Sequence, residues 1–281
     1  MNGILNIVAT PIGNLDEITC RAVEILKNSD IILCEDTAHS GVLLARYGIK
    51  TKKISYHKFN ETARLSEVLE LLKKGNKVAL IADAGMPCIS DPGAKLVKVC
   101  REEGLPVTVV SGASALINAF ALTGFTPPFT FIGFLPEKNR DKTVAVEPYK
   151  NLNSALIFYC APHDLVRTLD FLYSALGARK AVLCRELTKL HEETVDFVLG
   201  AELNITLKGE FVIVVEGSQT TPAAAFADTS IEEHLLRYIQ DGISKKDAVK
   251  RVATERGLPR NEVYQAALGI KAASIKHKQT H

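Results

Sequence analysis

Short apolar runs alternate with amphipathic helical patterns over the first 125 residues, and this order strongly limits the possible folds. The apolar runs are "ILNIVAT", "DIILCED", "KKISYH", "KVALIAD" and "VTVV". A single helix between consecutive short strands requires a right-handed crossover, which gives a mostly parallel, doubly wound sheet. We therefore predict an N-terminal α/β domain over residues 1–125, with ligands beyond the carboxyl ends of its strands.

The pattern changes after "TGFTPPFTF". The later apolar runs are "FTFIGFLP", "SALIFYCAP", "KAVLCREL" and "EFVIVVEG", with helical patterns near residues 139–150 and 163–176. They predict a second α/β domain over residues 126–220 with a mixed sheet of its own. A cleft between two such domains is a natural substrate site.

Composition indicates a globular protein with a sizeable core, because 47% of the 281 residues are hydrophobic. The sequence has no apolar run of about 18 residues and starts in a strand-like segment without a basic leader. We expect a cytoplasmic protein without a membrane partner. The six cysteines form no CxxC pair, which favours buried reduced thiols and no metal site.

The C-terminal segment is basic although the whole chain carries only +2. From Gly242 to His281 nine basic residues face three acidic ones, a net charge of +6 that leaves −4 for the rest of the chain. The nine are Lys245, Lys246, Lys250, Arg251, Arg256, Arg260, Lys271, Lys276 and Lys278. The segment therefore predicts a basic module on a mildly acidic body.

The same segment has the pattern of a helix-turn-helix-like extension over residues 230–281. Two short helices are predicted, with Ser244 as the cap of the first and Gly257 at its end. The predicted apolar side consists of Val249, Val252, Val263, Tyr264 and Leu268. The extension could dock on RNA, or it could be a helical pair that supports a dimer.

Three glycine-containing loops, at residues 10–14, 83–90 and 111–115, follow predicted strands. The second loop leads into a helix that we predict to start with Asp91 as N-cap and Pro92 at its first position, and to end before Gly104. None of the loops has a GxGxxG or GxxxxGK[ST] pattern, so a phosphate cradle is not indicated. By spacing alone they predict either a nucleotide-type site or ordinary strand termination.

Seven motifs, in this order, resemble those of one enzyme family: "TPIGNLDEITCRA", "CEDT", "YHKFNE", "ADAGMPCISDPG", "GFLPEK", "YCAPHDL" and "RELTKLHEE". The family is the ribosomal RNA small-subunit 2′-O-ribose methyltransferase I family, in the tetrapyrrole methylase (class III methyltransferase) superfamily. The resemblance runs from Leu5 to about Ile270. It implies two α/β domains in a homodimer, S-adenosylmethionine as methyl donor, and a cytidine of 16S rRNA in the decoding centre of the 30S subunit as acceptor.

The resemblance also implies which residues contact the donor. Because adenosylmethionine has no phosphate, its site needs backbone donors and acceptors, a carboxylate such as Asp83, and small residues that permit close approach. The implied donor contacts are Pro11, Gly13, Asp83, Ala84, Gly85, Met86, Ser114, Ala115, Tyr159, Cys160 and Gly209.

Six further residues are the implied candidates for the chemistry. Arg185, Glu186 and Lys189 would orient the RNA or its base. Glu35 or His57 would accept the proton, and Asn14 would hold the acceptor hydroxyl. Positioning should dominate, since alignment supplies ~7–11 kcal/mol and a general base roughly 3–5 kcal/mol. Without the resemblance, His57 could equally be a solvated loop residue and "KLHEE" an exposed charged face.

Two other classes of function share part of this pattern. A corrin or porphyrin precursor methyltransferase would share the donor site without needing a basic extension. A non-catalytic RNA-binding protein would need the extension but not three ligand loops.

The sequence departs from the family pattern at several positions. Ala38 stands where an Arg usually follows "EDT", and "YEAPHR" reads "YCAPHD", with Cys160 and Asp164 in place of two charged residues. "SDAGTP" reads "ADAGMP", and "PGPSA" reads "SGASA". These changes leave the expected shape of the donor site intact. The missing Arg at residue 38 and the Asp at residue 164 weaken the case for phosphate contacts at those two positions.

Overall fold

The computed structural model of the chain describes residues 2–219 and 229–270. The chain divides into two compact units. One consists of Met1–Pro148 and Ser154–Glu216, and the other of Tyr149–Asn153 and Gly217–His281.

The first sheet of the larger unit is fully parallel, as predicted. Its strand order is β3-β2-β4-β1-β5. The strands are β1 (Ile4–Val8), β2 (Ile31–Cys34), β3 (Lys52–Ser55), β4 (Lys77–Leu80) and β5 (Val107–Val110). The helices are α1 (Cys20–Lys27), α2 (Thr37–Arg46), α3 (Glu61–Lys73), α4 (Ala94–Glu102) and α5 (Ala115–Thr123), with a short 3₁₀ helix at Leu15–Glu17.

Helices cover both faces of this sheet because consecutive strand residues point to opposite sides. Leu33 and Leu80 belong to one buried cluster, while their strand neighbours Ile32 and Ala79 belong to another. Strands buried on both faces read as continuous apolar runs, which is the pattern in the sequence.

Helix α4 starts later than the sequence predicts. Its N-cap is Gly93 with φ +124°, so neither Asp91 nor Pro92 occupies the predicted position. A side chain at Gly93 would meet Leu80 Cδ2 at 2.4 Å and Cys88 Sγ at 2.7 Å, so the chain passes too close to the sheet for another residue. Gly104 follows the C-cap with φ +69°, as predicted.

The second sheet of the same unit is mixed, as predicted, with strand order β6-β7-β10-β8-β9. Strands β6 and β7 are parallel, and the other neighbours are antiparallel. The strands are β6 (Phe129–Phe134), β7 (Ala155–Cys160), β8 (Lys180–Arg185), β9 (Glu193–Val198) and β10 (Phe211–Val215). The helices are α6 (Asn139–Val146) and α7 (Leu165–Leu176), with 3₁₀ helices at Glu147–Tyr149 and Pro162–Asp164.

Strand β9 has no counterpart in the prediction. Its residues alternate between half-buried and exposed positions, which is the period of an edge strand with one covered face. The alternation in "ETVDFV" therefore indicates a strand, although the charged residues just before it obscure the pattern.

The described part of the smaller unit contains three helices that share one core, rather than the two predicted from "GISKK" onwards. They are α8 (Ile231–Gln240), α9 (Lys245–Arg256) and α10 (Arg260–Leu268). The missed helix α8 starts with a capping box between Ser230 and Glu233, a signal legible in the sequence. Ser244 caps α9 and Gly257 ends it in the left-handed conformation, as predicted.

The predicted apolar side of this extension is partly wrong. Val249, Val252 and Val263 are buried, but Tyr264 and Leu268 are each more than half exposed. Their place in the core is taken by small residues: Ala248, Ala253 and Ala267. Helix α10 packs through Val263 and Ala267. Tyr264 and Leu268 each follow one of these residues and are therefore turned about 100° around the helix axis, away from the core.

Four of the six cysteines are buried and none is in a disulfide. Cys88 is half-buried and Cys20 is exposed, so the prediction of buried thiols holds for Cys34, Cys100, Cys160 and Cys184. The described helices are all too short or too polar for any of them to traverse a lipid bilayer. Within residues 2–219 and 229–270, no three His, Cys, Asp or Glu side chains are grouped as metal ligands.

Candidate functional site

The carboxyl ends of β1, β4 and β5 form one edge of the first sheet, and the three predicted loops meet there. Thr10 and Gly85 exchange backbone hydrogen bonds of 2.9 and 3.1 Å across the first two loops. The Thr10 hydroxyl also donates to the Ala82 carbonyl at 3.0 Å. These bonds hold the loop after β1 against the loop after β4.

A cavity of about 370 Å³ lies at this edge and is closed on the other side by the second sheet. Its volume is in the range of small-molecule sites. Most of its wall is apolar, and the polar side chains are two serine hydroxyls, the Tyr159 phenol and three carboxylates. The lining residues are Ile12, Asp83, Ala84, Gly85, Met86, Ile89, Ser90, Asp91, Ser114, Ala115, Phe134, Tyr159, Cys160, Ala161, Pro162, Leu187, Glu210, Phe211 and Val212.

The antiparallel pairing of β10 explains how distant residues of the second sheet reach this cavity. Phe211, at the start of β10, pairs with Cys160 at the end of β7 and with Arg185 at the end of β8. The start of one strand and the ends of its two neighbours therefore share an edge.

A second cavity of about 270 Å³ adjoins the first. The two cavities share Ile12, Asp83, Ala84 and Glu210. The second cavity is otherwise lined by the loop after β1, by part of α2 and by Lys189. Molecules bound in the two cavities would therefore be neighbours, with the four shared residues between them.

Most of the predicted donor residues lie at these two cavities. Asp83, Ala84, Gly85, Met86, Ser114, Ala115, Tyr159 and Cys160 line the first, whereas Pro11 and Gly13 line the second. Gly209 lines none of the described cavities. Its φ is +89°, and a Cβ there would lie 2.4 Å from Glu186, so Gly209 makes room for that side chain. The next three residues, Glu210 to Val212, reach the cavity instead.

Gly13 and Asn14 lie against the loop that follows β8. A Cβ on Gly13 would come within 2.4 Å of Lys189 Cγ, so only glycine fits there. The Asn14 N–H donates to Thr188 Oγ1 at 3.1 Å, and Asn14 Oδ1 accepts from the Asp16 N–H at 3.1 Å. The Asn14 side chain therefore caps the 3₁₀ helix Leu15–Glu17.

Arg185, Glu186 and Lys189 form internal contacts. Arg185 Nε donates to the Lys208 carbonyl at 2.8 Å, and its Nη1 lies 3.2 Å from Glu193 Oε2. Lys189 Nζ donates at 2.8 Å to both Glu186 and Glu210. Partial burial by itself would raise the pKa of Glu186, but hydrogen bonds from Lys189 and from the Glu210 N–H hold it below its usual value.

Lys189 and Glu210 therefore form an ion pair at the second cavity, which both of them line. Glu186 and Thr188 have positive φ angles of +51° and +68°, a conformation uncommon for non-glycine residues. Such backbone strain is concentrated at functional sites in proteins.

Glu35 and His57 line none of the three cavities formed by the described residues. They follow β2 and β3, and β3 is two strands away from β4, about 10 Å in sheet spacing. The His57 N–H and Nε2 both contact the Asn60 side chain, at 2.8 and 3.2 Å. His57 is therefore separate from the residues that line the first and second cavities.

The acidic part of the first cavity is only partly predicted by the sequence. Burial raises the pKa of Asp91 to about 6, and the carboxylates of Glu35 and Asp83 contribute to this rise. Asp83 Oδ1 accepts a hydrogen bond from the Asp36 N–H at 3.3 Å. The sequence predicts Asp91 as a helix cap, and Glu210 escapes prediction because it precedes a strand instead of following one.

The sequence matches the family described as Tetrapyrrole (Corrin/Porphyrin) Methylases over residues 5–202. Residues 227–271 match a second description, the RsmI C-terminal HTH domain. Three relatives share the name ribosomal RNA small subunit methyltransferase I. The protein from Halalkalibacterium halodurans is 41% identical, and the alignment covers 93% of each chain. The Bacillus subtilis protein is 40% identical over 94% of each chain. The Synechocystis protein is 40% identical over 96% of this chain and 99% of its own.

Solved structures support the fold. Uroporphyrin-III-C-methyltransferase from Thermus thermophilus has a TM-score of 0.53 at 18% identity, over 76% of this chain and 94% of that one. Diphthine synthase has a TM-score of 0.59 at 13% identity, over 76% and 90%. Together with the sequence matches, they show that the chain is a methyltransferase of the tetrapyrrole methylase fold and belongs to the ribosomal RNA small subunit methyltransferase I family.

Proposed function

We propose that this protein transfers a methyl group from S-adenosylmethionine to the ribose 2′-hydroxyl of a cytidine in 16S rRNA, in the decoding centre of the small ribosomal subunit. The observation that carries the proposal is the identity of about 40% to small-subunit rRNA methyltransferases over more than nine-tenths of the chain. The named relatives support an rRNA acceptor, and the resemblance of the motifs supports the cytidine and its 2′-hydroxyl.

The first cavity fits the proposed donor. Bound adenosylmethionine would supply a methyl group on a positively charged sulfur. The apolar residues of the wall suit the adenine ring, and Asp83, Asp91 and Glu210 suit the positive charges of the ligand. Among the described residues, neither Lys nor Arg lines this cavity, so its wall does not favour a polyphosphate.

The second cavity is the proposed place of the acceptor ribose. It is continuous with the donor wall through Asp83 and Glu210, and the Lys189–Glu210 pair lies on its rim. In this proposal Lys189 orients the acceptor and Glu186 holds Lys189 in place, with Arg185 behind them as the residue that ties β8 to β9 and to Lys208. Asn14 lines neither cavity but fixes the opposite loop, since its N–H bonds Thr188 and its side chain caps the 3₁₀ helix.

The proton of the attacking hydroxyl must leave during or after methyl transfer. Glu210 is a carboxylate shared by both cavities, whereas Glu35 and His57 line neither of them. We therefore assign the proton acceptor to the Glu210 side of the site in preference to Glu35 or His57. Alignment of the hydroxyl remains the larger contribution, since a general base supplies only roughly 3–5 kcal/mol.

The basic extension is the proposed rRNA-binding module, and the active protein is proposed to be a cytoplasmic homodimer. Six of the nine basic residues after Gly242 are described, and five of these six are exposed: Lys245, Lys246, Lys250, Arg251 and Arg260. Arg256 is buried, where it donates to the Thr229 and Ser230 carbonyls. Lys271, Lys276 and Lys278 lie outside the described residues. The domain boundaries at residues 125 and 220 remain part of the proposal.

The test is incubation with labelled adenosylmethionine and three separate acceptors: 30S particles, naked 16S rRNA and uroporphyrinogen. We expect label in RNA, recovered after nuclease digestion as a 2′-O-methylated cytidine. Label in uroporphyrinogen alone would support a tetrapyrrole methyltransferase, and binding of RNA without label in any acceptor would support a non-catalytic protein. Either result would refute the proposal.

A further inference from the structure

Lys142, on α6, is a buried lysine whose ammonium group has no opposite charge beside it among the described residues. Only 7% of the residue is exposed. Its ammonium lies 5.6 Å from the centre of the Phe171 ring, and within the described ranges it makes no hydrogen bond or ion pair. Lys142 Nζ is not among the fully buried unpaired polar atoms of the described residues, so a buried stem ends in an ammonium group that faces open space.

The environment of Lys142 is a third cavity of about 310 Å³. Polar groups make up much of its wall, including Thr168, His163 and Arg167 beside Lys142. Helix α7 begins here, and the side chain of its N-cap residue Asp164 accepts no hydrogen bond from the backbone of the helix. The N-terminus of a twelve-residue helix carries a partial positive charge that favours anions.

The two carboxylates of this cavity leave Lys142 unpaired. Asp164 forms an ion pair with Arg167 and lies 3.2 Å from His163 Nε2. Glu137 is exposed and lies on the loop before α6. The cavity is therefore lined by an unpaired cation and by the first turn of α7, and both favour a bound anion.

Four residues, Phe134, Tyr159, Cys160 and Ala161, line both this cavity and the proposed donor cavity. We propose that the Lys142 cavity binds a phosphate group, and that in the working enzyme this group is a backbone phosphate of the RNA close to the methylated nucleotide. The second part rests on the proposed function. The first part, an anion site, stands without it.

The experiment compares the wild-type protein with Lys142→Met, which keeps the length and packing of the side chain and removes its charge. Lys98→Met is the matched control, since Lys98 is exposed on α4 and lines none of the described cavities. Inorganic phosphate is titrated into each protein and followed by ³¹P NMR. Binding of a 16S rRNA fragment is measured at several salt concentrations. Calorimetry with adenosylmethionine shows whether each variant is folded well enough to bind the donor.

We expect phosphate binding to disappear in Lys142→Met and to persist in Lys98→Met. RNA affinity should fall roughly tenfold, as expected when one charge-assisted contact is lost. The log-log salt slope should decrease by about 0.7, the value for one single-strand phosphate. Donor affinity should not change.

Two other outcomes would overturn the proposal in separable ways. Loss of phosphate binding with an unchanged RNA salt slope would refute the RNA assignment and leave a site for a free anion. Unchanged phosphate binding would refute the anion site itself. If the wild-type protein bound no RNA, the proposed function would fail while the phosphate titration still decided the anion site.

A second variant protects the test against misfolding of Lys142→Met. His163→Glu changes an exposed side chain at the same cavity and places a negative charge there. It should weaken phosphate binding in the same direction without disturbing the core. Normal phosphate binding in a folded His163→Glu protein would count against the proposal.

Discussion

At the scale of single residues, three carboxylates face the proposed donor cavity. Asp83 accepts a hydrogen bond from the Asp36 N–H, whereas Asp91 is half-buried and has its pKa raised to about 6 by burial and by the carboxylates of Glu35 and Asp83. Glu210 faces the same cavity from the second sheet. Carboxylates with strongly perturbed proton affinities are a common feature of functional sites.

Asp91→Asn should remove a pH-dependent cost to stability. The pKa of Asp91 is about 6 in the folded protein and usually 3.8. The folded state thus binds more protons between these values, and stability falls as the pH rises from about 4 to about 6. Asp91→Asn should therefore raise the free energy of unfolding by about 1–2 kcal/mol at pH 8, after allowance for solvent screening, and by little at pH 4. Urea unfolding at the two pH values measures this, and an equal effect at both would contradict the assignment.

The ionisation of Asp91 should also affect donor binding. A positively charged donor is attracted by the ionised carboxylate, so wild-type affinity should increase between pH 5 and pH 7. Burial raises the pKa of Asp91 to about 6, which lies inside this interval. In Asp91→Asn the increase should be much smaller. A profile equally steep in both proteins, measured by calorimetry, would assign the titration to another group.

Asp83→Asn tests the proposed donor site at a single pH. The amide oxygen can still accept from the Asp36 N–H, so the loop should persist while the charge is lost. Donor affinity should fall roughly tenfold. Ser114→Tyr should fill the cavity and abolish binding. Asp170→Asn, at an exposed position on α7, is the control. Undiminished affinity in both site variants would place the donor elsewhere.

At the scale of elements, the loop after β8 is held in shape by the loop before β10. Gly209 leaves space for Glu186, whose carboxylate accepts from the Glu210 N–H at 2.9 Å and from Lys189 at 2.8 Å. Glu186 and Thr188, in the same loop, both have positive φ angles. The rim of the second cavity is therefore built by two loops from separate parts of the chain.

Gly209→Ala should disrupt this rim, with Gly104→Ala as the matched control. Both glycines have positive φ, but a Cβ at Gly104 would meet no atom within 4 Å, whereas a Cβ at Gly209 would clash with Glu186 at 2.4 Å. Gly104→Ala should cost about 1–2 kcal/mol from conformation alone. Gly209→Ala should cost about 1–3 kcal/mol more and also lower the rate of methyl transfer. Equal losses of stability in thermal unfolding would show that the contact with Glu186 is unimportant.

At the scale of the whole molecule, the basic extension is a three-helix core rather than an appended helical pair. Leu235 from α8 belongs to the same buried cluster as Val249, Val252 and Val263. A truncation before Gly242 would remove two helices and leave α8 with an exposed apolar face. The cleaner truncation ends at residue 219.

A protein that ends at residue 219 should keep its donor affinity and lose RNA affinity. Each lost phosphate contact removes roughly 0.7–0.9 from the log-log salt slope, so the loss of several contacts should flatten the slope clearly. Filter binding at several salt concentrations measures it, and calorimetry with adenosylmethionine is the control. If RNA affinity and slope both persisted, recognition would have to reside in the larger unit.

The sequence by itself determined most of the strand and helix order of both sheets, because burial on two faces and the 3.6-residue period are written locally in the chain. It also identified the loops of Asp83 and Ser114, since carboxyl ends of parallel strands share an edge. Only the tertiary structure decided which remaining residues reach the site. Antiparallel pairing brought Glu210 into it, sheet spacing left His57 outside it, and close packing at Gly93 moved the start of α4 so that Asp91 faces the cavity. These outcomes depend on contacts between segments far apart in sequence, which no local pattern contains.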